Sequence, residues 1–399
     1  MKKNSFSRLA LCVLCGAGIT LTPSLASSGW VPQTSGTTNS LISVDFPVDA
    51  QTGYAAGVMT ILKTTNGGAN WARPTADTTL YPWAVDFPID AQTGYTVGGS
   101  GFAWKTTDGG ITWARQNTGA ISLRAVQFPV DVQTGFAVGD FRTVRKTTNG
   151  GTSWATLPFP TGSDNLCSVY FPVDADTGYI AGDSGIFKTT NGGSIWVLQS
   201  STYTSLRSVH FPVNAQTGYA AGGNTIAKTT NGGTSWTRQD STHLIPSIYF
   251  PVDAQTGYAV GWSGTILKTT NGGTNWISQT SGTTKLLLSV HFPVDALTGY
   301  AVGDSGTILK TTDGGSGVEE GQNAEFGMRN TELRITPNPF ISFAALPGHE
   351  AERFSLYDIS GRKVGTYRGD RVGEGLAPGV YFLRSSDSQD KPLRIVKVR

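Results

Sequence analysis

The chain has 399 residues, 38% of them hydrophobic and 15% charged, with a formal net charge of +2. Near-balanced charge excludes a polybasic surface for nucleic acid or anionic lipid, and three cysteines exclude a disulfide-stapled mini-domain. The 51 glycines, with abundant Thr, Val, Tyr, Phe and Trp, point to many short strands joined by tight turns.

Residues 1–26 read as an export signal. Lys2, Lys3 and Arg8 form a basic start. Leu9 to Leu21 is a mostly apolar stretch too short to span a bilayer comfortably. Ser24-Leu25-Ala26 then offers small residues for cleavage near Ala26. A membrane anchor is the alternative. Leu11 and Leu14, before Cys12 and Cys15, stand where a lipid-attachment signal wants a small residue. The mature chain then keeps only Cys167 and forms no internal disulfide. No second apolar run of spanning length follows, so no transmembrane segment is expected after cleavage.

Residues 27–318 are one unit written seven times. The phrase around Phe46 (LISVDFPVDAQTGYAAG) returns around Phe87, Phe128, Phe171, Phe211, Phe250 and Phe292, at intervals of 39 to 43 residues. A second phrase, KTTNGG or KTTDGG, closes each unit. This period predicts four-stranded propeller blades. The first strand is LxSVxF, ended by Pro47 and the VDAQTG turn. GYAAG and TILKTT are the second and third. Asn66-Gly67 makes a tight hairpin, because both residues tolerate positive φ, and the fourth strand begins at Trp71. Six turns are followed by Trp and the seventh is not; Gly29-Trp30-Val31-Pro32-Gln33 matches the missing piece. The N-terminal strand is therefore expected to complete the last blade around Trp30 and to close an all-β, seven-bladed propeller, which leaves no open sheet edges.

The hairpin Thr269-Thr270-Asn271-Gly272-Gly273-Thr274-Asn275-Trp276 resembles the Asp-box, or BNR repeat. Its copies carry Asn66 with Trp71, Asp108 with Trp113, Asn149 with Trp154, Asn191 with Trp196, Asn231 with Trp236, Asn271 with Trp276, and Asp313 without a following Trp. Ile195 departs from the pattern in one copy. The whole unit is similar to the repeats of the photosystem II stability/assembly-factor-like propeller family, over roughly residues 30–315. The resemblance implies that the box is a structural hairpin at the blade periphery, and it implies fold more than activity. A photosystem-assembly role, as a protein-binding chaperone, is what the family name implies, but the tail at residues 334–399 argues against transferring it, and an exported, non-enzymatic binding or scaffold module is the expected function.

Catalysis is weighed against binding by what is missing. Residues 30–318 contain no Glu, whereas glycosidases generally need paired carboxyl groups and sialidases a Tyr–Glu pair. The Asp-box resemblance keeps a sialidase-like glycosidase as the alternative, but the arginines that it implies are represented only by Arg124 and Arg207. One slot per blade reads Asp45, Asp86, Gln127, Tyr170, His210, Tyr249 and His291. Ring closure brings His291, Asp45 and Asp86 to consecutive blades, where they could bind a cation; partly hydrated polar residues near the channel are the favoured reading, and no metal or cofactor is expected. His243 suggests nothing.

Two loop-proximal positions also vary among the seven copies. At the start of the inner strand stand Ile42, Trp83, Arg124, Cys167, Arg207, Pro246 and Leu288. After the second strand stand Val58, Gly99, Asp140, Asp183, Gly223, Trp262 and Asp304, and blade three adds Phe141, Arg142 and Arg145. If the Asp-box hairpins share one face with the VDAQTG loops, these variable positions share the other. Trp83, Arg124, Asp140, Arg142, Asp183, Arg207, Trp262 and Asp304 are then the candidate ligand-binding face, for a protein or a glycan; drift on an unused surface is the alternative. Cys167 in this slot reads as a small hydrophobe. The repeats carry 15 Lys and Arg against 17 Asp, so no nucleic-acid partner is expected. The chain is expected to be a monomer.

Residues 319–333, where Glu319, Glu320, Glu325 and Glu332 appear, read as a linker. Residues 334–399 form a second β pattern: Thr336-Pro337-Asn338-Pro339-Phe340, a strand at Phe354–Asp358, its return at Arg362–Val364, then Leu376–Arg384 and Arg394–Arg399. This resembles the type A C-terminal sorting domain of type IX secretion substrates, and a small sandwich-like accessory module is the alternative. The resemblance implies delivery by the type IX machinery and a secreted or cell-surface location.

Overall fold

The computed structural model describes residues 29–74, 81–240, 242–316, 346, 353–358, 362–368, 370–377, 379–385 and 393–397. The signal (1–26), the linker (319–333), the boundary at 318, Thr336 to Phe340 and Arg399 lie outside the described residues.

The repeat builds seven antiparallel sheets, one per copy. In the first, Leu41–Asp45 pairs with Gly53–Gly57, which pairs with Thr60–Thr64. Five later blades add the expected fourth strand after the Asp-box, as at Ala114–Asn117 and Val197–Ser200. Blade one departs from this among the described residues: three strands form its sheet, and after Trp71 a single bridge, Lys63–Ala72, is present. Among the described residues the only helical turns are Trp262–Gly264 and Asp304–Gly306, both between second and third strands.

The ring closes as the repeat count requires. Val31–Gln33 pairs antiparallel with the last blade, Val31 opposite Lys310 and Gln33 opposite Ile308, and that third strand runs Ile308–Thr311 rather than from Thr307. Trp30 is buried, its ring edge-on to Phe292 at 5.9 Å. The same contact recurs in the other six blades, for example Trp71 on Phe46 and Trp276 on Phe250. The backbone N–H of Gly29 donates to the Asp313 carboxylate at 2.8 Å, so the seventh box takes its missing residues from the other end of the chain.

Each Asp-box is held locally. Asn66 Oδ1 accepts from the Thr64 hydroxyl and from the Asn70 N–H, and the Gly68 N–H donates to Thr64 Oγ1. Gly67 and Gly68 sit at φ of 64° and 85°, where a side chain is strained. Neighbouring blades are joined by the Tyr and Lys of the two phrases. Tyr54 stacks on Phe87 of the next blade at 3.7 Å, and its hydroxyl donates to the Ala91 carbonyl. Lys63 Nζ donates to the Gly109 carbonyl of the next Asp-box at 3.0 Å.

The faces are sorted as expected. The Gly67 N–H donates to Gln51 O, which places the Asp-box beside the VDAQTG loop, while the Val58 N–H donates to Ser40 O on the opposite face. In the tail, Lys363–Arg368, Arg353–Asp358, Gly379–Ser385 and Leu393–Lys397 form, in that order, one four-stranded antiparallel sheet over Leu346, Phe354, Leu356 and Leu383. The small C-terminal β domain thus contributes one sheet among the described residues, with its strands shifted by a few residues from the expected spans.

Candidate binding site at the channel mouth

A β-bulge aims the variable residue of each inner strand. In blade one, Leu41 pairs with Gly57 and Ser43 with Ala56, so Ile42 is skipped. Trp83, Arg124, Cys167, Arg207 and Leu288 are skipped in the same way. A bulge re-aims the residue it leaves unpaired. The partner glycine permits it: a Cβ on Gly57 would lie 2.0 Å from the Ser40 carbonyl oxygen. In blade six Pro246 takes the position just before the inner strand Ser247–Tyr249.

All seven of these residues, Ile42, Trp83, Arg124, Cys167, Arg207, Pro246 and Leu288, line one funnel of about 680 Å³ at the mouth of the channel. Trp262 joins them from its turn, 56% exposed, beside Ser263 at φ 54°.

The other candidate residues divide. Asp140 binds Arg124 Nε within blade three, and Asp183 lies 3.3 Å from Arg207 NH1 across the blade four–five boundary. Both carboxylates therefore orient the two arginines. The Arg124 guanidinium lies over Trp83 at 5.4 Å. Arg207 NH1 also donates to Cys167 Sγ at 2.7 Å, while burial pushes the Cys167 thiol pKa up. Arg142 is not part of the funnel. It donates to the Asp164 carboxylate, to the carbonyls of Pro160 and Thr161, and to Ser184 Oγ, which uses its fork to hold the long loop of blade three. Asp304 starts a helical turn at Asp304–Gly306 and does not line the funnel. Arg145 is buried and donates to Thr118 O and Gly119 O. His243 contacts Asp240 at 3.2 Å.

Below the funnel, the polar slot of the inner strands forms a belt. The Phe87 N–H donates to Asp45, the Phe128 N–H to Asp86, the Phe171 N–H to Gln127, and the Phe46 N–H to His291 Nδ1, each from one blade to the next. The rings of Tyr170, His210, Tyr249 and His291 follow one another at 4.8 to 4.9 Å. Burial raises the Asp45 pKa to about 7, against the pull of the Phe87 and Phe46 N–H groups. Burial, then the Asp45 charge, raises Asp86 well above the usual carboxylate range. Burial lowers His210 to about 4 and His291 to about 3. His291 accepts at Nδ1, so it stands neutral with its proton on Nε2. No cluster of His, Cys, Asp or Glu suited to a metal ion occurs among the described residues. Sequence reasoning placed this slot near the channel but missed its work: Asp45, Asp86, Gln127 and His291 accept from backbone N–H groups of the neighbouring blade, and His210 Nε2 donates to the Phe250 carbonyl at 3.1 Å. The signal available was that most of its residues can accept a hydrogen bond.

The molecule is similar in fold to solved propellers. It matches YCF48 from Cyanidioschyzon merolae at 18% identity and a TM-score of 0.58, over 71% of this chain and 98% of that one. It matches a structure titled YCF48 bound to D1 peptide at 18% identity and 0.59, over 73% and 99%. The WD40 repeats of RRP9 match at 10% identity and 0.60, over 71% and 98%. No family model matches the chain, and no curated protein matches it. At these identities the likeness establishes a propeller fold.

Proposed function

We propose that this chain is a non-catalytic propeller module that binds a protein segment at the channel mouth. The observation that carries this reading is the coincidence of variation with shape. Two inner-strand positions differ among the seven copies: the slot from Asp45 to His291 is taken up with contacts between neighbouring blades, whereas the bulged position, with Pro246 in its place in blade six, turns its residues into a single funnel. Aromatic, Arg and apolar side chains gathered round one concave mouth are the mix that a recognition surface uses. Peptide rather than glycan is favoured because Trp83, one of the two mouth tryptophans, is covered by Arg124 and offers less open ring face for a sugar. A solved neighbour in complex with a peptide supports the same reading. A glycosidase is disfavoured: among the described residues no carboxyl group lines the funnel, and Asp45 and Asp86 are engaged by backbone N–H groups.

The test is a peptide array screened beside a glycan array and a glycosidase panel. Replacing Arg124, Arg207 and Trp262 together by Ala is expected to weaken peptide binding at least tenfold. The unfolding midpoint should stay nearly unchanged, because all three side chains are partly exposed. Loss of binding from substitutions in the VDAQTG loops instead would put the site on the wrong face.

We further propose the division 1–26 signal, 27–318 Asp-box propeller, 319–333 linker and 334–399 sorting-type domain, with export to the cell surface or beyond through the type IX machinery. The resemblance of the tail phrases supports this. Removing Ile395 to Arg399 in a host with type IX secretion is expected to leave the protein in the periplasm, measured by cell fractionation. Normal delivery of the shortened chain would refute the sorting assignment.

A further inference from the structure

The funnel is divided by charge. Blades three, four and five contribute Arg124, Cys167 and Arg207, whereas blades six, seven and one contribute Pro246 with Trp262, Leu288 and Ile42. Among the described residues, Arg124 and Arg207 are the only charged ones that line it. Asp140 and Asp183 hold the two guanidiniums, yet 31% and 41% of the arginine side chains remain exposed. Arg207 NH1 also donates to Cys167 Sγ at 2.7 Å, which ties the blade-four position to this sector. A guanidinium fixed at one edge presents its remaining N–H groups as a preorganised fork for a carboxylate.

We propose that the funnel takes an extended peptide segment in which one acidic side chain stands beside an apolar or aromatic one. This rests on the peptide-binding reading above and names its ligand class. The carboxylate seats between Arg124 and Arg207 above Cys167, and the apolar side chain seats against Trp262, Leu288 and Ile42. A purely apolar segment would cover guanidinium N–H groups without giving them acceptors, which is costly. A polyanion would meet Asp140 and Asp183 directly behind the arginines. The volume of about 680 Å³ falls in the range of small-ligand pockets and so encloses a few side chains rather than a folded domain.

The experiment uses the full chain without residues 1–26 and a positional-scanning library of octapeptides, acetylated and amidated at their ends so that no terminal charge contributes. The expected result is selection of Asp or Glu within two positions of Phe, Trp or Leu. With a selected peptide, changing its acidic residue to the amide is expected to lower affinity at least tenfold. R124Q/R207Q should abolish that acidic preference and keep the apolar one, and W262A should do the reverse. The two variants serve as each other's control for folding. Binders with no acidic preference, or with a preference untouched by R124Q/R207Q, overturn this inference while leaving the peptide-binding reading in place. Failure of every peptide, with capture of a glycan on the parallel array, overturns both.

Discussion

A chain beginning at Thr37 is expected to unfold at a markedly lower temperature than the mature protein and to associate with itself. Closing the ring joins residues 284 positions apart, as the Gly29–Asp313 hydrogen bond records. The logarithmic loop term for that closure is about 5 kcal/mol, plus a constant. Three ladder pairs, the Gly29 bond and burial of Trp30 offset it. Without them Ile308–Thr311 becomes an unpaired edge, a template for a second chain. Trp30→Ala alone isolates the packing part. The indole is 6% exposed and meets Phe292 and Tyr258 edge-on, so its loss is expected to cost about 3–5 kcal/mol. Calorimetry and sedimentation check both variants. A Thr37 start as stable and monomeric as the parent would mean that the last blade is complete without its N-terminal strand.

Asp45→Asn is expected to raise the unfolding midpoint at pH 8 and to lose that advantage towards pH 4. The sign follows from the direction of the shift. Asp45 titrates near 7 in the fold and near 3.8 unfolded, so the neutral form's contribution is complete below 3.8 and is lost as the pH rises through 7. Three pKa units correspond to about 4 kcal/mol. The side chain keeps 20% of its surface exposed, and hydration there reduces the expected gain to about 2 kcal/mol. An amide at this position keeps an oxygen for the Phe87 N–H, so the hydrogen bond survives the substitution. His291 works in the opposite sense. Its neutral form is stabilising above 6.5, and that contribution is lost as the pH falls through about 3, when Nδ1 can no longer accept from the Phe46 N–H. His291→Gln should therefore soften acid unfolding, as Gln127 already fills the same slot in blade three and accepts from Phe171. Melting curves of the Asp45→Asn variant that run parallel to those of the parent from pH 4 to 9 would contradict the assignment of a buried, strained carboxylate.

The sequence by itself determined the blade count, the order of strands and the place of closure. These depend on local chemistry: Pro47 ends a ladder, Asn66-Gly67 turns, and each Trp recurs a fixed distance after its hairpin. Trp30 could be matched to Trp276 because the same residues surround both, and the same environment awaited it. It also picked out Arg124, Arg207 and Trp262, since variation among like copies can be read directly. Only the tertiary structure decided what those residues do. Arg207 meets Asp183 and Cys167 of the preceding blade, whereas Arg142, of the same chemical type on the same face, is consumed by Asp164 and two carbonyls of its own loop. In the belt, Asp45 and Gln127 likewise serve backbone groups 42 and 44 residues away, and His291 serves one 245 residues away. Such partners are set by the rotation from blade to blade and by a one-residue bulge, and neither leaves a mark in local sequence. Propensity fixes where the chain turns, but closure of the ring fixes which side chains then face one another.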